Sequence, residues 1–116
     1  MAPTGAEAEV HVMAKFVLAY RGGGMAETEA EQQQAMEQWM GWFGQLGAAV
    51  VDGGAPFGAA QTISSSGAVS DGGQTGLSGY SIVDATDLAD AVAKAKGCPV
   101  LASGGSVEVY EAIPMG

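Results

Sequence analysis

Two aspartates carry the chemistry this chain can offer. Asp52 and Asp71 each stand directly before a glycine, at the end or edge of a stretch with extended character. A carboxylate in that position most often caps the turn that the glycine makes. If it projects into a cavity instead, burial raises its pKa and equips it as a general base or polar anchor. Tyr80, on the next extended stretch, brings a phenol to the same neighbourhood, and Phe57 and Trp42 bring aromatic surface of the kind that walls small-molecule pockets. The expectation is a small pocket lined by some of Trp42, Asp52, Phe57, Asp71 and Tyr80. Asp52, Asp71 and Tyr80 take the catalytic roles, and Trp42 and Phe57 take the substrate contacts. A one-residue slip in register would turn either aspartate to the opposite face.

Other chemistries find little material. The one histidine, His11, lies before the first strand and has no orienting partner. No serine sits in a G-x-S-x-G elbow, so the Ser-His-Asp class has neither nucleophile nor base. The one cysteine, Cys98, follows a helix C-terminus, whose negative end raises a thiol pKa, and reads as a small buried residue. One Cys and one His cannot build a structural metal site. Glu27, Glu29, Glu31 and Glu37 read as a solvated helix face. The glycine clusters at 22–24, 53–54 and 72–73 lack both the P-loop and the G-x-G-x-x-G patterns. No cofactor and no metal are expected.

Charge narrows the partners. Four Lys and Arg stand against 13 Asp and Glu, a net charge of −9. Nucleic acid and anionic membrane surfaces both need clustered cations, which are missing here. No apolar run approaches a membrane span of roughly 18 residues. The expected setting is cytoplasmic. At 116 residues the chain is the size of one domain. Residues 1–12, small and acidic without periodicity, read as a disordered leader, and 13–116 as the domain.

The elements that must position these groups follow from pattern. Residues 15–21 read as a strand, with Phe16, Leu18 and Tyr20 on one side and Val17 and Ala19 on the other. A helix then starts at the Thr28–Glu31 capping box. Met36, Trp39, Met40, Phe43 and Leu46 form its apolar stripe, with Trp42 at the margin and Gly47 at the stop. Residues 48–52 read as a second strand broken by Asp52-Gly53-Gly54, residues 61–64 as extended, and residues 70–78 as a mobile Gly- and Ser-rich loop. Residues 79–85 read as a strand. The second helix is capped by Thr86 or Asp84, buries Leu88, Ala91, Val92 and Ala95, and ends with Gly97 at C′ before Pro99. A short extended piece at Val100-Leu101 and a last strand over 106–113 complete the chain.

The order is β-α-β-β-α-β, the split pattern of ferredoxin-like α+β folds, with two helices on one face of an antiparallel sheet. Phe16 to Tyr20 is apolar in both directions, so the second face needs a cover, and a homodimer is the economical one.

The stretches Phe16-Val17-Leu18-Ala19-Tyr20-Arg21-Gly22, Trp39 through Gly47, Asp52-Gly53-Gly54-Ala55-Pro56-Phe57-Gly58, Ser70-Asp71-Gly72 and Gly79-Tyr80-Ser81-Ile82-Val83 occur in an order and spacing that resemble the YCII-related family, in its DGPF-like subgroup. Lys96-Gly97-Cys98-Pro99 and Glu108-Val109-Tyr110-Glu111 fit as well. The resemblance covers about residues 13–115 and implies a dimeric α+β barrel formed by sheet pairing. The chain departs from the family where chemistry is concerned. Members with a proposed acid–base pair have a His near the first helix and an Asp-Pro after the second. Here Glu31, Gln32, Gln33 and Gln34 occupy the helix, and Cys98-Pro99 stands where Asp-Pro would be. The DGPF motif is reduced to Asp71-Gly72-Gly73. Two functions follow as expectations. One is a cofactor-independent enzyme or binder of a small organic molecule, aromatic ones included. The other is a non-catalytic accessory or regulatory dimer that binds a protein or senses a metabolite.

Overall fold

The computed structural model describes residues 13–23, 27–73 and 75–114. The leader and His11 lie outside the described residues. Strand β1 (Ala14–Arg21) buries Phe16, Leu18 and Tyr20 on one side. Helix α1 (Glu29–Leu46) begins at the expected capping box. The Thr28 hydroxyl accepts the Glu31 N–H at 3.1 Å, and the Glu31 carboxylate accepts the Thr28 N–H at 3.2 Å. It ends at Gly47, whose φ of 57° suits only glycine well. A single 3₁₀ turn (Gly47–Ala49) leads into β2 (Val50–Pro56). Strands β3 (Gln61–Ile63) and β4 (Val69–Asp71) form a separate two-stranded sheet. Strand β5 (Leu77–Ala85), helix α2 (Leu88–Ala95), short helix α3 (Pro99–Ala102) and β6 (Ser106–Glu111) follow.

The fold is α+β. Its main sheet is antiparallel with four strands in the order β2-β5-β1-β6. Three helices accompany it, and none among the described residues is long and apolar enough to cross a membrane. The core lies between sheet and helices and is built from Phe16, Leu18, Tyr20, Val83, Val100 and Trp42, with Ala85, Ala91 and Ala95 letting α2 approach closely. Val107 and Val109 close it from β6.

Several expectations need correction. The stripe of α1 is rotated: Met36 and Met40 are exposed, Met40 at 67%, while Trp42 is only 4% exposed. Trp39, Trp42, Phe43 and Leu46 also recur at i, i+3, i+4 and i+7, and this narrower aromatic set wins. Trp42 is drawn inward by Gly97, where a Cβ would lie 3.1 Å from its ring, and by donating its indole N–H to the Lys94 carbonyl at 3.2 Å. Gly97 is therefore a packing glycine and not a left-handed C′ residue, since its φ is not positive. Helix α2 is capped by Asp87, whose carboxylate accepts the Asp90 N–H at 2.8 Å. Thr86 turns back instead, its N–H donating to Asp90 at 3.0 Å. Leu88 and Val92, expected inside, are exposed beside buried Ala91 and Ala95. Val100-Leu101 is helical, because Pro99 sits at the first turn of α3, where a missing N–H costs nothing.

In β2 the Asp52-Gly53-Gly54 segment bends the strand without ending it. The ladder to β5 shifts register on both sides of Asp52, and the strand continues to Pro56. The expected loop over 70–78 holds the end of β4 and the start of β5.

Among the described residues, the second face of the sheet carries no helix. Tyr110, Val17, Ile82 and Asp52 are successive cross-strand neighbours on it, as are Glu108, Ala19, Tyr80 and Ala55. Arg21 donates to Glu108 at 3.0 Å along one rim.

Trp42→Ala should lower the free energy of unfolding in urea by about 3–5 kcal/mol. Met40→Ala, one stripe away, should change it by no more than about 0.5 kcal/mol.

Candidate functional site

The double register shift of β2 is held from the core side. Tyr20 donates its phenolic proton to Ser81 Oγ at 2.6 Å, and Ser81 donates to the Gly53 carbonyl at 2.7 Å. Gly54 follows with φ 78°, packed so tightly that a Cβ there would overlap the Tyr80 carbonyl. With the backbone so turned, Asp52 Oδ1 accepts the Gly54 N–H at 2.8 Å. Its second oxygen, Oδ2, accepts the Tyr80 hydroxyl at 3.4 Å. The Phe57 ring stacks on Tyr80, centroids 5.8 Å apart and 21° from parallel, and its N–H is fixed by the Ser78 carbonyl at 2.9 Å.

Three of the five expected residues therefore meet on the sheet face that has no helix. Asp52 does both things open to it, capping its turn with one oxygen and meeting a phenol with the other. A carboxylate and a phenol side by side, under an aromatic ring, can accept a proton or hydrogen bond from a ligand and return one. Beside Phe57 opens a cleft of about 310 Å³ with Ala59, Ala60, Thr75 and Leu77 among its walls. Asp52 and Tyr80 are not part of those walls.

The other two residues are elsewhere. Asp71 lies in the two-stranded sheet, opposite Gln61 and exposed, and among the described residues nothing bonds it to Asp52, Phe57 or Tyr80. Trp42 lines a cleft of about 630 Å³ with Gln38, Gln45, Lys96 and Leu101, but this is on the helix side of the sheet. Its rotation into the core removes it from the Tyr80 face.

The Tyr20–Ser81 chain went unnoticed in the sequence. The available signal was Ser81 itself, a hydroxyl on the alternating side of β5 that also carries Val83 and Ala85. Cys98 is buried against Tyr20 and interacts with its phenol. Burial is the largest influence on both, pushing the thiol up to about 11 and the phenol above its ordinary range. Such a thiol is no nucleophile near neutrality. Among the described residues no three His, Cys, Asp or Glu side chains are grouped to hold a metal ion.

No protein-family model matches this chain, and comparison with curated proteins gives no significant match.

Gly54→Ala should cost at least about 2 kcal/mol, because a side chain at positive φ would also have to displace the β5 backbone. Urea unfolding measures it, and Gly58→Ala, with open space around it, is the control. A second expectation concerns alkali. Cys98 and Tyr20 are both raised, so the unfolded chain loses these protons first. The Cys98 contribution is complete below the ordinary thiol value near 9 and is lost as pH climbs through about 11, and that of Tyr20 is lost at higher pH still. Stability should fall over that window, and Cys98→Ala should flatten the fall. Native Cys98 should react with a disulfide reagent only as fast as the core opens.

Proposed function

We propose that this chain is a YCII-related protein with a ferredoxin-like fold, and that it binds a small organic molecule between the sheets of a homodimeric α+β barrel. One observation carries the functional part: the Asp52 carboxylate and Tyr80 hydroxyl converge at 3.4 Å with Phe57 stacked alongside. The strand order β2-β5-β1-β6, with a helix after β1 and another after β5, supports the fold reading. The helix-free face, with Val17, Ile82 and Tyr110 in one row, supports the dimer.

Ligand class follows from charge and shape. A chain of −9 repels anions. The carboxylate favours a hydroxyl or ammonium donor, and the stacked rings favour a flat aromatic body. The ligand is thus a neutral or cationic aromatic molecule with a hydrogen-bond donor. Asp52 is its polar anchor and, for a reacting ligand, the base. Tyr80 shares the proton and Phe57 sets the plane. Among the expected site residues, Asp71 and Trp42 have no part in this arrangement. The accessory-dimer alternative lacks a comparable observation in its favour.

The test is saturation-transfer NMR with catechol and tyramine as probes. The dimeric protein should transfer signal to at least one probe. Asp52→Asn and Tyr80→Phe should each weaken binding about 10-fold, the loss of one charge-assisted hydrogen bond. Glu37→Gln, on α1, should leave it unchanged. Absence of transfer to both probes, or transfer indifferent to both site variants, would overturn the reading.

A further inference from the structure

We propose that the β3–β4 hairpin is a dimerisation arm that lies along the margin of the helix-free sheet face of a second copy of this chain, beside the sheet-to-sheet contact, each copy giving one arm and receiving one. The inference rests on the homodimer reading and adds the element that clasps the dimer.

The hairpin is well formed and uncovered. Gly72 N–H donates to the Ala60 carbonyl at 3.1 Å at its base, and Ser64 N–H donates to the Ala68 carbonyl at 2.8 Å near its tip. Yet every residue from 51 to 71 is exposed. Ile63 and Val69, which face each other across the two strands, are 71% and 58% exposed. A two-stranded hairpin with three residues per strand is marginal in water and needs a surface to lie on.

Charge identifies that surface. Between Asp52 and Asp84 the sequence holds one charged residue, Asp71, in a chain whose net charge is −9. A basic partner would be drawn to carboxylates, and the arm offers it one. Two copies of this chain repel each other wherever their acidic surfaces meet, so they approach best through their charge-poor parts. The arm is such a part. The helix-free face is its complement: Tyr110, Val17 and Ile82 form an apolar row ending at Asp52, Lys15 and Asp84 are cross-strand neighbours of opposite charge, and on the rim Arg21 and Glu108 neutralise each other. One arm and one receiving face per chain satisfy a two-fold axis, which closes at two copies.

The experiment combines sedimentation with intermolecular paramagnetic relaxation in the full chain. Ile63→Asp with Val69→Asp should weaken self-association at least about 100-fold, with an unchanged circular dichroism spectrum because neither side chain touches the core. In mixed dimers, a nitroxide on Ser65→Cys of one copy should broaden the Val17 and Ile82 methyl signals of an isotope-labelled copy. The native thiol at Cys98 is buried and does not take the label. A dimer that tolerates both aspartates and shows no intermolecular broadening would overturn the arm while the homodimer stands. A wild-type chain that stays monomeric at about 100 µM would overturn both.

Discussion

A single hydroxyl in the apolar centre governs how the middle of this sheet is built. Ser81 is fully buried on the core side of β5, beside Val83 and Ala85. Left without partners it would cost about 1–3 kcal/mol, so its donor and its acceptor both have to be met. Tyr20 on β1 meets the acceptor, and the Gly53 carbonyl on β2 meets the donor. Three adjacent strands are thereby tied at one level. The Gly53 carbonyl points inward where the β2 ladder shifts on either side of Asp52, and that shift brings Gly54 to positive φ. Asp52 is then left facing Tyr80 on the opposite side. The candidate site follows from satisfying a core group.

The same connectivity explains why the described helices all lie away from that opposite side. β1 runs parallel to β2 with β5 between them, and β5 runs parallel to β6 with β1 between them. The two crossovers leave antiparallel strands and travel in opposite directions across the sheet. Crossovers of the same right-handed form then deposit their helices on one face. Covering one face well leaves the other to side chains alone. Val17 and Ile82 are only half-buried there, although β1 and β5 are the two inner strands.

What could be read from the sequence was what local rules decide. The capping box at Thr28 and Glu31, the alternation of Phe16, Leu18 and Tyr20, and the stop at Gly47 each depend on a few neighbouring residues, and each stands as expected. The cap of α2 and the turn at Pro99 were misread locally, and the other misreadings involve a distant partner. Two helical stripes were available in α1, and the choice between them was made by Gly97, more than fifty residues on. Asp52-Gly53-Gly54 has the composition of a strand break, and its pairing with β5, with the Ser81 hydroxyl bonded to the Gly53 carbonyl, keeps it a strand. Asp52 and Asp71 look alike in sequence. One is paired with β5 and meets Tyr80, while the other is carried away on a separate hairpin. The candidate site was legible as residue types, and which of them the fold brings together was not.

The placement of the acidic residues completes the picture. Six of the 13 carboxylates, Glu27, Glu29, Glu31, Glu37, Asp87 and Asp90, lie on or just before the two longer helices. Those near the N-terminal ends cap free N–H groups or face the positive end of the helix dipole, where a negative charge is favoured. Acidity concentrated there serves the helices and keeps them turned to water. It also leaves the strands from Gly53 to Val83 almost uncharged, and these strands form one edge of the sheet, part of its helix-free face and the whole hairpin. Within that neutral stretch Asp71 sits alone, while Asp52 marks its border. The partner of Asp52 is a phenol rather than a cation. Among the described residues no ion pair takes up the Asp52 carboxylate, whereas those of Asp90 and Glu108 are committed to Lys94 and Arg21.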